Sequence, residues 1–218
     1  MRKLFVVLAF LLGALSLGYG QASTAAPSGP DLIPVLDPYF TTEVPFITTE
    51  TYLPEDCAVQ EGFIAAGTHK LLRFATSFQN IGDRDLRIGR PTSHVNDGWY
   101  TWSPCHGHYH FNNYASYRLL GLDGSVVATG HKMGFCIIDA LPPLDWTLGR
   151  VRFNDCDNQG LSAGWYDRYA PGLEGQWIEI DDVPPGTYQI EITVNYANQL
   201  PESNYANNTQ VLYEVVIP

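Results

Sequence analysis

Three of the chain's six histidines stand at alternate positions in the run Cys105-His106-Gly107-His108-Tyr109-His110. On a helix a step of two residues turns by about 200°, which sends the middle imidazole away from the other two; on a strand all three share one face. Aromatic flanks favour the strand. In a straight strand the outer α-carbons stand about 13 Å apart, at about 3.3 Å per residue. With a metal–nitrogen bond of about 2 Å, that separation is near the limit of imidazole reach. The strand must therefore bend or twist here, and Gly107 eases the bend. Three imidazoles with no carboxylate beside them in the sequence suit copper or zinc better than calcium or magnesium. The His-Glu-x-x-His of helical zinc proteases is absent. So is the glutamate that follows His-x-His in cupin-type iron sites, since no glutamate lies between Glu61 and Glu174. Ordinary surface histidines are the blander account; three on one face make it the weaker one.

The elements that must position these histidines read as strands. Short β-branched and aromatic runs, separated by turn signals, fall at Lys70–Phe78, Asp85–Gly89, Trp99–Trp102, Tyr109–Leu120, Ser125–Ile138, Gln176–Ile180, Thr187–Tyr196 and Gln210–Ile217. Asp123-Gly124 marks the clearest hairpin, because this pair tolerates the positive φ that tight turns need. Alternation recurs, as in Tyr188, Ile190, Ile192 and Val194, and no stretch holds a 3.6-residue apolar period for three turns. The expected fold is all-β: a single sandwich-like domain with long loops. Asp139 to Trp165 has little alternation and reads as one long loop of the kind that builds a site or is cross-linked in place.

Residues 1–20 have the form of a signal peptide: Arg2 and Lys3, an apolar run from Leu4 to Leu17, then small residues near Gly18 and Gly20. The apolar run falls short of the ~20 residues that span a bilayer, so no stable membrane insertion is expected after cleavage. Residues 21–30 read as a flexible leader and 31–218 as the domain. Export to an oxidising compartment pairs Cys57, Cys105, Cys136 and Cys156 into two disulfides, with three connectivities open. A net charge of -11 disfavours nucleic acid and favours a cationic partner such as an amine or a lysine-rich protein.

The run SPCHGHYHFNNYASYRLL is followed by GHKMGFC, then QGLSAGWYDRY, then GQWIEIDDVPPGTYQIEITVN and LPESNYANN. In these segments, and in their order, the chain resembles the catalytic domain of the lysyl oxidases from about Asp31 to its end. The resemblance implies a secreted copper amine oxidase, a protein-lysine 6-oxidase-like enzyme in a compact microbial form. Copper would be held by His106, His108 and His110. Lys132 and an oxidised Tyr169 would cross-link into lysine tyrosylquinone. Primary amines, either peptidyl lysine or small alkylamines, would be converted to aldehydes with dioxygen as oxidant, releasing hydrogen peroxide and ammonia. A lysine adds as a nucleophile only when neutral, and a nearby Cu(II) lowers its pKa.

The family pattern also pairs the positions of Cys105 and Cys156, leaving Cys57 with Cys136. Trp165 replaces a cysteine found in animal members, and their propeptide and accessory segments have no counterpart here, so collagen or elastin is not the expected substrate. Asp31, the Leu32 carbonyl, Glu202, Asn204, Asn207 and Asn208 match a calcium site of related proteins, and carboxylates, amides and carbonyls are that ion's usual ligands. Asn204 stands in place of an aspartate, which lowers the expected affinity. The competing reading is a secreted β-sandwich that captures copper without oxidase activity; formation of the quinone separates the two.

Overall fold

The computed structural model describes residues 28–131, 136–145 and 151–218. The expected signal peptide, most of the leader, and Lys132 lie outside them. Among the described residues, fourteen strands and one short α-helix, besides two 3-10 turns at Pro91–Ser93 and Val95–Asp97, follow in the order β1 (Leu32–Val35), β2 (Phe46–Tyr52), α1 (Cys57–Gln60), β3 (Gly67–Arg73), β4 (Thr76–Asn80), β5 (Leu86–Gly89), β6 (Tyr100–Ser103), β7 (His108–Phe111), β8 (Ala115–Gly121), β9 (Val126–His131), β10 (Gln159–Leu161), β11 (Tyr166–Tyr169), β12 (Trp177–Glu179), β13 (Gly186–Val194) and β14 (Thr209–Ile217). The fold is all-β. Among the described residues no helix is long and apolar enough to cross a membrane.

The largest sheet runs β14-β13-β8-β9, and two three-stranded sheets run β12-β3-β2 and β1-β4-β11. In β13 the alternation is literal: Tyr188, Ile190, Ile192 and Val194 are buried while the residues between them are not. Their inward faces join Leu72 of β3, Ile178 of β12, Phe78 of β4 and Tyr117 and Leu119 of β8 in one core. Each fully buried Leu, Ile or Phe contributes about 1.5–3 kcal/mol relative to exposure. The expected hairpin joins β8 to β9. Gly124 takes φ 81°, and Asp123 Oδ1 accepts hydrogen bonds from the Ser125 amide and hydroxyl at 3.0 and 2.7 Å.

Three sequence expectations are corrected. Tyr109–Leu120 is two strands, because the chain turns at Asn112-Asn113, with Asn113 at φ 58°. The Asp139–Trp165 stretch contains β10, which pairs with β5, and the bridge of Leu141 to Tyr166. Buried Asp139 organises it by accepting from the amides of Arg152, Phe153 and Ser162 and from the Ser162 hydroxyl. Lys70–Phe78 is two strands, β3 and β4, that enter different sheets. At the start of the described chain, Ser28 and Gly29 both hydrogen-bond to Asp83.

Candidate metal and cofactor site

The histidines ride on the β6–β7 hairpin, in which Ser103 pairs with His108 and Tyr100 with Phe111. His108 and His110 lie in β7, whereas His106 lies in the turn before it, so the expectation of three strand histidines holds for two. The physical reason is Gly107, whose φ of 68° reverses the chain, with its amide donating to the Ser103 carbonyl at 2.9 Å. The reversal folds His106 back, and the ring centroids stand 5.8 Å (His106–His108), 5.0 Å (His106–His110) and 5.0 Å (His108–His110) apart. Rings sharing one metal at ordinary bond lengths and angles have centroids about 4.5–5.5 Å apart. The cluster is therefore close to what a common metal requires.

Each ring is held. His108 Nδ1 lies 3.1 Å from the His106 carbonyl oxygen, which fixes Nδ1 as the protonated nitrogen and leaves Nε2 buried with no hydrogen-bond partner. A ring nitrogen anchored to a carbonyl in this way is the usual outer support of a metal-binding histidine. His106 Nδ1 lies 3.1 Å from Ser103 Oγ, and its Nε2 lies 2.9 Å from Glu174 Oε2.

Sequence reasoning found no carboxylate near the triplet, yet the fold delivers two. Glu61, which ends α1, approaches His106 Nδ1 to 3.4 Å and His110 Nδ1 to 3.6 Å. Glu174 reaches His106 from the β11–β12 loop. Arg73 steadies that loop by donating to the Pro171 and Leu173 carbonyls at 3.0 and 3.1 Å while it pairs with Glu50. These are the two glutamates that bracket the long glutamate-free stretch. The only sequence signal for Glu61 was its place four residues after Cys57.

The disulfides explain the approach and correct the expected pairing. Cys57 bonds Cys105 and Cys136 bonds Cys156, with Cα separations of 5.7 and 5.1 Å. Both lie within the span a disulfide can bridge. The first ties the start of α1 to the residue before His106, so Glu61 is carried onto the histidines. The second closes the segment that follows Lys132 onto the loop before β10.

Tyr169 ends β11, where it is 3% exposed. Its hydroxyl donates to Asp167 Oδ2 at 2.5 Å and lies 3.4 Å from the Cys136 carbonyl oxygen. Asp167 precedes it by two on the same strand, hence on the same face, and was missed because a lone aspartate in a strand carries no pattern. Burial first, then the charge of Asp167, pushes the Tyr169 phenol well above its usual range. Lys132 is flanked by His131, which pairs with Ser116 across β8–β9, and by Cys136 against Tyr169.

A cavity of about 500 Å³ lies against Glu61 and His110, walled by Phe63, Trp102 and Tyr196. A second, of about 480 Å³, lies against His108, with Arg90 and Asp157 at its wall.

The expected calcium ligands divide. Glu202 Oε2 accepts from the Leu32 amide at 2.6 Å, and Glu202 Oε1 accepts from Asn208 Nδ2 at 2.8 Å; Asn207 Nδ2 donates to Asp31 Oδ1 at 2.8 Å. Leu32 thus enters through its N–H rather than its carbonyl. Asn204 Oδ1 is occupied by the Ala206 amide at 3.0 Å, a local turn. Asn195, not anticipated, also donates to Glu202 Oε1. Burial raises the Glu202 carboxyl pKa, and the side-chain oxygens of Asn207 and Asn208 are buried without hydrogen bonds.

The family profile described as lysyl oxidase matches residues 38–214. A protein-lysine 6-oxidase of Rattus norvegicus is 35% identical over 193 residues, covering 82% of this chain and 44% of the relative. A lysyl oxidase homolog 2 of Homo sapiens is 31% identical over 204 residues, 87% of this chain and 25% of the relative. A protein-lysine 6-oxidase of Sus scrofa is 35% identical over 193 residues, 82% and 73% respectively. The chain spans less than half the length of the first two.

Proposed function

The chain belongs to the lysyl oxidase family, and on that premise we propose that it is an exported copper amine oxidase, consisting of a signal peptide (1–20), a leader (21–30) and one catalytic domain (31–218). The substrate is a primary amine, either a lysine side chain of a protein or a small alkylamine. The observation that carries this reading is the position of Tyr169, buried, bonded to Asp167, and with its hydroxyl 3.4 Å from the carbonyl of Cys136. Cys136 lies four residues after Lys132, and four residues of extended chain span at most about 14 Å. The proposed cross-link would join Lys132 to the Tyr169 ring.

His106, His108 and His110 would hold the copper; the spacing of their rings and the anchored Nδ1 of His108 fit this. Copper and dioxygen together would supply the oxidation of the Tyr169 ring, and the resulting quinone would supply the amine-to-aldehyde chemistry, with peroxide and ammonia released. The protein's own contribution is positional. Asp167 Oδ2 accepts a hydrogen bond from the Tyr169 hydroxyl and fixes the ring. The Cys136–Cys156 bridge holds the backbone against which that hydroxyl rests. Burial keeps water from the phenol. Glu61, at the cavity beside His110, contributes negative charge on the side open to an incoming ammonium, and the acidic surface favours cationic substrates at longer range.

Asp31, Glu202, Asn207 and Asn208 form the proposed calcium site, without Leu32, which turns its N–H to Glu202, and Asn204, whose Oδ1 is taken by the Ala206 amide. The two buried, unsatisfied amide oxygens of Asn207 and Asn208 are what support it.

The test is direct. Copper-loaded, aerated protein should show a visible quinone absorption, react with phenylhydrazine, and yield Lys132 and Tyr169 in one cross-linked peptide. Tyr169→Phe should remove the colour and keep the copper, whereas alanine at any of the three histidines should remove both. A colourless, unreactive copper protein would make the chain a copper-binding module instead.

A further inference from the structure

We propose that Glu61 and Ser103 are positioning residues of the histidine cluster, which keep the hydrogen of His106 and of His110 on Nδ1 and so turn Nε2 of both rings toward the metal. The proposal rests on the copper reading above. A ring nitrogen holds a metal only through its electron pair, so the site depends on which nitrogen of each imidazole carries the hydrogen.

The hydrogen on His106 follows from the hydroxyl of Ser103, which ends β6 and is 3% exposed. A hydroxyl has one hydrogen to give and two electron pairs with which to accept. Its hydrogen goes to Glu61 Oε1, and one electron pair accepts from the His106 amide at 3.0 Å. The other faces His106 Nδ1 at 3.1 Å. With no hydrogen left on the oxygen, that contact forms only if Nδ1 donates. Glu61 is what commits the hydroxyl, because a carboxylate only accepts.

His110 is reached without an intermediary. Glu61 Oε2 is buried without a hydrogen bond and faces His110 Nδ1 at 3.6 Å, while Oε1 stands 3.4 Å from His106 Nδ1. Both separations exceed the about 2.7–3.2 Å of good N–H···O bonds. The carboxylate therefore acts on His106 through the serine and on His110 through its charge, which favours a hydrogen on the nitrogen it faces. The three rings then share one arrangement by three means, since His108 Nδ1 lies 3.1 Å from the His106 carbonyl oxygen. Support of this kind aims the coordinating nitrogen and raises its basicity. On the other side of His106, Glu174 Oε2 lies 2.9 Å from Nε2, so the two glutamates flank opposite nitrogens of one ring.

The experiment measures copper(II) affinity by chelator competition in wild type, Glu61→Gln, Glu174→Gln, Ser103→Ala and Ser103→Thr. Glu61→Gln and Ser103→Ala should each weaken binding about tenfold or more. Ser103→Thr keeps the hydroxyl and should bind close to wild type, and Glu174→Gln should lose less than Glu61→Gln. Wild-type affinity in Glu61→Gln or Ser103→Ala would overturn the proposal. So would equal losses in the two glutamate variants, because loss of charge alone would then account for both. NMR of zinc-loaded, nitrogen-15-labelled protein reads the hydrogen itself. In wild type His106 and His110 should be protonated at Nδ1 and coordinated at Nε2, and in Glu61→Gln the two Nδ1 hydrogens should exchange faster with water. Unchanged exchange would overturn the proposal, as would coordination of either ring through Nδ1 in wild type, a result that needs no variant to fold. Failure of the copper reading itself looks different: His106→Ala would then hold copper as tightly as wild type.

Discussion

Breaking the Cys57–Cys105 bridge should damage the metal site and the fold together, in separable amounts. The bridge closes a loop of 48 residues, against 20 for Cys136–Cys156. Chain-entropy reasoning gives about 4 kcal/mol for the longer loop and about 3 kcal/mol for the shorter, upper figures where the unfolded chain retains structure. A domain of this size has about 5–15 kcal/mol in all, so either double serine variant remains folded unless the wild type lies near the bottom of that range. What separates them is function. Cys57→Ser/Cys105→Ser releases α1 from the hairpin and with it the approach of Glu61 to His106 and His110, so copper affinity should drop beyond what stability accounts for. Cys136→Ser/Cys156→Ser leaves the histidines untouched and frees the backbone at Tyr169, so copper should be retained while quinone formation slows. The assay is urea unfolding of the metal-free proteins, followed by chelator competition and phenylhydrazine labelling of the folded ones. Equal copper affinity in the two variants would refute the reasoning. Recovery of a Cys105–Cys156 peptide from native protein would refute its premise.

Calcium should raise the unfolding temperature of the wild type by mass action, about 2.7 kcal/mol at a hundredfold excess over its dissociation constant. Glu202→Gln should abolish the shift, and a wild type insensitive to calcium would exclude the site. Stability should also fall in alkali, because burial raises the phenols of Tyr114, Tyr117 and Tyr169 above their ordinary value. Unfolded phenols ionise near pH ~10, so above that pH the native state holds more protons than the unfolded one and stability declines as pH rises toward the folded values. The urea midpoint should therefore drop steadily above pH ~10, and a flat profile would mean these rings are already ionised or exposed in the native state.

The sequence was most readable where a single strand decides its own environment. β13 shows its buried face in its letters, and the Asp123-Gly124 turn carries its own backbone requirement. Gly107 was legible as a bend, though not as the positive-φ reversal that moves His106 off the strand. Where partners come from far along the chain, local pattern was silent. β10 is three residues long, and it exists because β5 offers it an edge. Asp139 looks like a loop residue until its four hydrogen bonds are seen. Family pattern misled on the cysteines, for Cys105 takes Cys57 and not Cys156. The partners are settled by which backbones lie close, with Cα separations of 5.7 and 5.1 Å.

The same distinction bears on the site itself. A linear motif records the donors a hairpin can present on one short segment, and three imidazoles is what this hairpin presents. It cannot record a partner brought in by a covalent tether, because that partner's sequence position is arbitrary. Glu61 is placed by α1, α1 is placed by Cys57, and Cys57 is placed by Cys105, the residue immediately before His106. The tether thus connects the motif to its supporting carboxylate through four residues on one side and one on the other. Glu174 arrives by a different route, through a loop held by Arg73, and that contact depends on hydrogen bonds and an ion pair rather than a covalent bond. The two carboxylates should therefore differ in persistence. Reduction should release Glu61 from the histidines while leaving Glu174 in place, and loss of the Arg73 contacts should do the reverse.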